Sequence, residues 1–167
     1  DSEYGWEKLF SERLYQTFNK NYGLNTRIAR FHNIYGPEGT WDGGKEKVPA
    51  AVCRKVAYAN KNDEIEIWGD GEQTRSFLYI DDCIEATRRL MNSTYSSPIN
   101  IGSEEMVSIN QLVAIVSKIS NKSISIKHVK GPLGVRGRNS DNELIKKILD
   151  WDYKYTLEEG ISETYWW

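Results

Sequence analysis

Apolar side chains recur at Trp6, Leu9, Phe10, Leu14, Phe18 and Tyr22, three and four positions apart, which predicts a helix with one broad aromatic stripe, ending near Gly23. Such a stripe is expected to be buried against a neighbour. Thr26 to His32 reads as a strand stopped by the turn signal Tyr35-Gly36-Pro37, and Tyr35 to Lys47 as a Gly-rich loop. Val48 to Asn60 has a helical pattern with Pro49 in its first turn, and Glu64 to Trp68 alternates like a strand. Gly69-Asp70-Gly71 then suggests a hairpin turn into a second strand, Arg75 to Ile80. Asp81 is a candidate cap for a helix through Met91, Pro98 to Ile101 a short strand, and Ser108 the cap of a helix through about Ile119. Ser123 to Val129 alternates again, a loop rich in Gly and Arg follows, and helices are expected over Asn142 to Leu149 and from about Thr156. Strands and helices interleave without repeats, so the fold class is α/β.

A chain of 167 residues with 39% hydrophobic content supports one domain with a real core. The 22 basic and 24 acidic side chains leave a net charge of -2, no field to gather a nucleic acid. No apolar run approaches the ~18 residues of a membrane span, and secretion finds no support at the N-terminus. Cys53 and Cys83 lie far apart, without metal-ligand spacing, which fits reduced thiols in a cytoplasmic protein with no metal site. The first helical pattern begins almost at residue 1 with no preceding cap, leader or linker, as a cut chain would.

Three segments carry candidate chemistry. Tyr4-x-x-x-Lys8 places a phenol and an ammonium one helical turn apart, where the cation can favour the phenolate as a general base; alone, such pairs are usually solvated. Arg30-Phe31-His32-Asn33-Ile34-Tyr35-Gly36-Pro37 puts Asn33 at a strand's C-terminal end, where open α/β sheets collect ligands, although a turn-capping Asn would look the same. The third runs from Trp68-Gly69-Asp70-Gly71 through Arg75 to Tyr79-Ile80-Asp81-Asp82.

In this order the three segments resemble the extended short-chain dehydrogenase/reductase family of nucleotide-sugar epimerases and dehydratases. His32 to Trp41, Gly43 to Ala51 and Gly134 to Asn142 resemble, within it, the branch that inverts C3 and C5 of a GDP-sugar. The resemblance runs from Tyr4 onward and implies the substrate-binding, C-terminal part of an extended Rossmann-type enzyme. Residues 1–40 would be a remnant of the NAD-binding domain and 41–167 the nucleotide-sugar part, with some strands returning to the Rossmann sheet. It also implies that the Gly-rich βαβ units lie upstream, so the chain alone is expected to be inactive. Gly131, Gly134 and Gly137 match the spacing of a dinucleotide turn, but Pro132 and Arg136 occupy it and no helix follows at once. Those glycines are expected to let a loop wrap an anion beside Arg136 and Arg138.

The family chemistry implied is hydride transfer from sugar C4 to NAD, with Tyr4 taking the hydroxyl proton and Lys8 holding both Tyr4 and the cofactor ribose. The 4-ketone acidifies C3 and C5, so an acid/base pair can invert both centres. In the 3,5-epimerising branch that pair is a Lys, matched by Lys47, and a Cys expected upstream; Cys53 falls in a helix, as a half-buried packing thiol. Arg75 and Arg138 match diphosphate-binding arginines and Asn33 a substrate-contacting amide, with Arg136 and Lys55 as helpers. A homodimer through the helix spanning residues 4–22 is a further implication.

Rival readings are a UDP- or dTDP-sugar 4-epimerase or 4,6-dehydratase of the same family, a carbohydrate-binding module suggested by six Trp and ten Tyr, and a non-catalytic partner docking by its aromatic helix. Lys47 disfavours the first, because a 4-epimerase needs no acid/base at C3 and C5. The helical and strand spacing of the aromatics disfavours the second.

Overall fold

The computed structural model describes residues 2–131 and 134–167. Helix α1 (Glu3–Tyr22) does have a cap: the Ser2 hydroxyl accepts the Gly5 N–H at 3.2 Å. Gly23, at φ 68°, ends the helix in the left-handed conformation. The expected burial of its aromatic stripe is not found. No residue of α1 is buried; Trp6, Phe10 and Tyr22 are each about two-thirds exposed or more (67%, 68% and 75%).

Strand β1 (Ile28–Phe31) is shorter than the alternation suggested, and β2 (Ile34–Tyr35) claims residues that read as turn and loop. Helix α2 (Val48–Tyr58) buries Val52, Cys53 and Val56. Its last carbonyls meet a cation from a distant loop: Lys122 Nζ donates to the Val56, Ala57 and Ala59 oxygens at 2.8, 2.9 and 2.8 Å. Strand β3 (Glu64–Trp68) follows, and the expected hairpin does not form. β3 pairs in parallel with β8 (Ser125–Val129), some sixty residues on, and Gly69 and Gly71 at positive φ turn the chain from β3 toward the next strand.

The expected strand Arg75 to Ile80 is split. Thr74–Ser76 (β4) pairs antiparallel with β7 (Met106–Ser108) and parallel with β9 (Gly137–Arg138), while Leu78–Tyr79 (β5) pairs with β2. Ile80 already opens helix α3 (Ile80–Asn92), so Tyr79 and not Asp81 stands at the cap. The buried Asp82 carboxylate turns outward from the first turn to accept the backbone N–H groups of Lys154 (3.1 Å to each oxygen) and Tyr155 (2.9 Å). β6 (Pro98–Ile101) pairs in parallel with β1. Helix α4 (Ile109–Ser120) starts in a reciprocal cap between Ser108 and Gln111, and α6 (Leu157–Trp166) in one between Thr156 and Glu159; α5 (Glu143–Leu149) lies between them in the chain.

Two apolar cores result. One gathers Val52, Val56, Ile67, Leu112, Val116 and Ile161 between α2, α4, α6 and β3; the other gathers Leu90, Ile99, Ile101, Ile145 and Trp151 around the β1–β6 pair. Phe77, Leu78 and Tyr79 alternate between them, as the period of a strand requires. Among the described residues no helix is long and apolar enough to cross a membrane, and no cluster of His, Cys, Asp and Glu could hold a metal ion.

Asp82 ties the segment before α6 to α3 through two N–H donors that an amide cannot satisfy equally. Asp82→Asn is expected to lower stability by about 1–3 kcal/mol, read as a fall in the urea midpoint at unchanged slope. An unchanged midpoint would show that the tie contributes nothing.

Candidate active site

A cleft of about 610 Å³ opens between the start of α2, the end of β3 and β4, with Glu46, Val48, Lys55, Trp68, Gln73 and Arg75 in its walls. The β4–β9 pairing sets Arg75 level with Arg138, and side chains paired in this register leave one face of the sheet together. Burial, and then the charge of Arg138, holds the Arg75 guanidinium below its ordinary value. Arg75 donates to the carbonyls of Thr74, at 2.6 Å, and Val135; among the described residues neither arginine is paired with a carboxylate. Two arginines set level without an acid have the chemistry to take an anion with two or more charges.

The far wall is aromatic and polar. Trp68 is 57% exposed, and Gly131 packs so closely on its indole that a Cβ would stand 2.5 Å from the ring. Gln73 gives its amide N–H to the Trp68 carbonyl at 3.3 Å, and its oxygen is buried without a partner. Glu46 receives Arg54 on one oxygen at 2.8 Å and leaves the other buried and unpartnered. Its carboxyl is held below the usual range by its own backbone N–H and then by Arg54.

On α1, Lys8 Nζ stands 5.1 Å from the centre of the Tyr4 ring and 3.1 Å from Glu7, whose hydrogen bond holds it above its ordinary value and so cationic. Both side chains are exposed, on the face and spacing the sequence predicts. Asn33 adopts φ 46° between β1 and β2; its side-chain amide donates to the Ser76 carbonyl at 2.9 Å, and its own carbonyl accepts the Leu78 N–H at 3.2 Å. It thus fastens β1 and β2 to β4 and β5, as a turn-forming Asn does. Next to it, burial first and then Arg138 and Arg30 hold the His32 imidazole below its ordinary value, and its Nδ1 is buried without a partner.

The cleft brings together Arg75 and Lys55, with Arg138 beside Arg75. Lys55 donates to the Glu66 carbonyl at 2.5 Å, so its ammonium is partly spoken for. Lys47 is exposed on extended backbone at the cap position of α2, and unlike Glu46 and Val48 it does not line the cleft. Arg136 is exposed, its carbonyl accepting the Thr74 N–H at 2.9 Å. Gly137 opens β9 and the next helix begins only at Glu143, so the Gly131–Gly134–Gly137 segment is no dinucleotide turn; Pro132 lies outside the described residues. Trp68, Gln73 and Glu46 were not among the expected site residues. A Trp at the end of a strand, just before Gly-Asp-Gly, was the available sign.

Residues 1–102 match the NAD dependent epimerase/dehydratase family. The chain belongs to that family. It is 53% identical over 164 residues to GDP-mannose 3,5-epimerase of Arabidopsis thaliana, covering 98% of this chain and 43% of that protein. It is 34% identical over 155 residues to UDP-glucuronic acid decarboxylase 5 of the same plant, covering 92% and 44%. The crystal structure of UDP-glucose 4-epimerase from Thermotoga maritima, with UDP-glucose, superposes with a TM-score of 0.88 at 30% identity, over 98% of this chain and 52% of that one. The chain thus spans about half the length of the family members it matches, with the mixed α/β fold of these epimerases.

Cys53 is buried outright (7% exposed), not half-buried, and burial pushes its thiol up to about 12; Cys83 is raised for the same reason. Little thiolate then exists near neutral pH, which suits packing and not acid/base work. At about pH 8, alkylation of both cysteines by iodoacetamide should run at least ~100-fold slower in the native protein than in urea. Equal rates would mean that one thiol is accessible and reactive.

Proposed function

We propose that the full-length protein is an NAD-dependent isomerase of a GDP-sugar, oxidising GDP-mannose at C4, epimerising C3 and C5 and re-reducing it to a product of the GDP-L-galactose type. The observation that carries this reading is the pair of Arg75 and Arg138 without an acid, beside a cleft with an exposed indole, in a chain so similar to the Arabidopsis thaliana epimerase. On this reading the guanidinium groups take the diphosphate, helped by Arg136 and Lys55, and Asn33 contacts substrate with its remaining amide valences. Residues 1–40 belong to the cofactor side and 41–167 to the sugar-nucleotide side, with β5 and β6 returning to the cofactor-side sheet. This chain is inactive by itself, and the enzyme works in the cytoplasm as a homodimer through the exposed stripe of α1.

Tyr4 and Lys8 suit a nicotinamide ribose, since both are exposed on one helix face with the ammonium over the phenol ring. When bound, NAD supplies the acceptor and donor of the C4 hydride. Tyr4 takes the C4 hydroxyl proton and later returns it, while Lys8 orients the phenol and holds the ribose. The resulting ketone makes C3–H and C5–H acidic, and Lys47 moves a proton on one face of the ring. Among the described residues Lys47 makes no side-chain hydrogen bond, which leaves its ammonium available to the sugar. Neither Cys53 nor Cys83 is its partner.

Incubated with GDP-mannose in deuterium oxide, the full-length protein should place deuterium at C3 and C5, and Lys47→Ala should abolish this while NAD binding stays largely intact. Undiminished exchange in the variant would remove Lys47 from the mechanism. Interconversion of UDP-sugars at C4 with no exchange at C3 or C5 would favour the 4-epimerase reading instead.

A further inference from the structure

Arg30 heads the Arg-x-x-Asn-x-Tyr-Gly-Pro segment, yet the reaction above assigns it nothing. Its guanidinium grips the Glu12 carboxylate with two parallel bonds, Nε to Oε1 at 2.7 Å and a terminal nitrogen to Oε2 at 2.5 Å. Among the described residues this is the only side-chain hydrogen bond from α1 to another element. The partly buried positions of the helix are Ser11, Glu12, Gln16 and Asn19, so α1 meets the protein with its polar side and turns its apolar stripe outward. Glu12 keeps 16% of its side-chain surface exposed against 49% for Arg30, and the bond to Arg30 holds its carboxyl below the usual range.

Tyr4, Lys8 and Glu12 follow one another at four-residue spacing and share one side of the helix. Glu12 stands about 12 Å along the axis from Tyr4. Glu12 lies in the middle of α1 and Arg30 in β1 only a short connection after Tyr22, so their bond requires the chain to double back, and moving back from Glu12 to Tyr4 and forward from Arg30 to Asn33, just past the end of β1, leads toward the same end of the structure. A fixed bond between Glu12 and Arg30 therefore sets both the rotation of α1 and its slide along β1.

We propose that Glu12 and Arg30 form a positioning pair that holds Tyr4 and Lys8 in register with Asn33 for proton transfer at the sugar. The proposal rests on the reading of Tyr4 and Lys8 as the catalytic pair. A partly exposed ion pair contributes little to global stability, whereas small displacements of a reacting group cost rate steeply.

In the full-length protein, Glu12→Gln and Arg30→Gln should each lower kcat by about tenfold or more, with KM for the sugar nucleotide within about twofold and Tm nearly unchanged. Arg30→Lys, which keeps the charge but not the two-pronged fork, should restore part of kcat, and the reciprocal exchange Glu12→Arg with Arg30→Glu should restore more than either single exchange retains. Retention of kcat in both Gln variants would overturn the proposal, and so would parallel losses of kcat, KM and Tm without rescue, the signature of a structural role. Tyr4→Phe serves as the control. Full activity in Tyr4→Phe would overturn the catalytic reading itself and leave the pair nothing to position, whatever the Gln variants show.

Discussion

Two like charges held side by side are the constraint around which this cleft is arranged. Arg75 and Arg138 come from strands whose parallel register sets their backbone positions level. Burial first, and then the charge of Arg138, lowers the basicity of Arg75, whose guanidinium is held by the carbonyls of Thr74 and Val135. An anion with two phosphates would relieve the repulsion. β4 is held on its other side by β7, which leads directly into the Ser108 cap of α4, so the cleft is anchored in the larger apolar core.

Helix α1, which carries the proposed catalytic pair, is held quite differently. The arginine pair rests on paired strands backed by a core, while α1 buries no residue and, among the described residues, one ion pair on its polar side joins it to another element. The two halves of the proposed chemistry thus sit on unequal supports, a rigid anion cradle and a helix whose placement depends on Glu12 and Arg30. Asn33 stands between them: its amide fastens β1 to β4, so the strand that carries Arg30 and the strand that carries Arg75 are joined by a hydrogen bond of 2.9 Å.

Long periodic elements were legible because their burial is local to their own pattern: α2, α4 and α6 appear where the apolar spacing and the caps at Ser108 and Thr156 put them. β2, β7 and β9 span two or three residues each, too few to show any period, and they exist because partner strands distant in sequence supply their hydrogen bonds. The hairpin reading at Gly69 failed for the same reason, since the turn chemistry was right and the partner strand lay far downstream. The stripe on α1 was expected to be buried and is not, because spacing alone does not say which side of a helix meets the rest of the chain. At the site, residue types and order named Arg75, Arg138, Tyr4 and Lys8 as candidates, and the fold sets the first two level and the last two on one helix. The partner of Arg30 and the cleft wall of Trp68, Gln73 and Glu46 needed the fold.

Calorimetric titration of GDP tests the arginine cradle most directly. Arg75→Ala and Arg138→Ala should each weaken binding by on the order of 2 kcal/mol or more, because each removes charge-assisted hydrogen bonds to the diphosphate. Unchanged GDP affinity in both variants would place the anion site elsewhere and contradict the account.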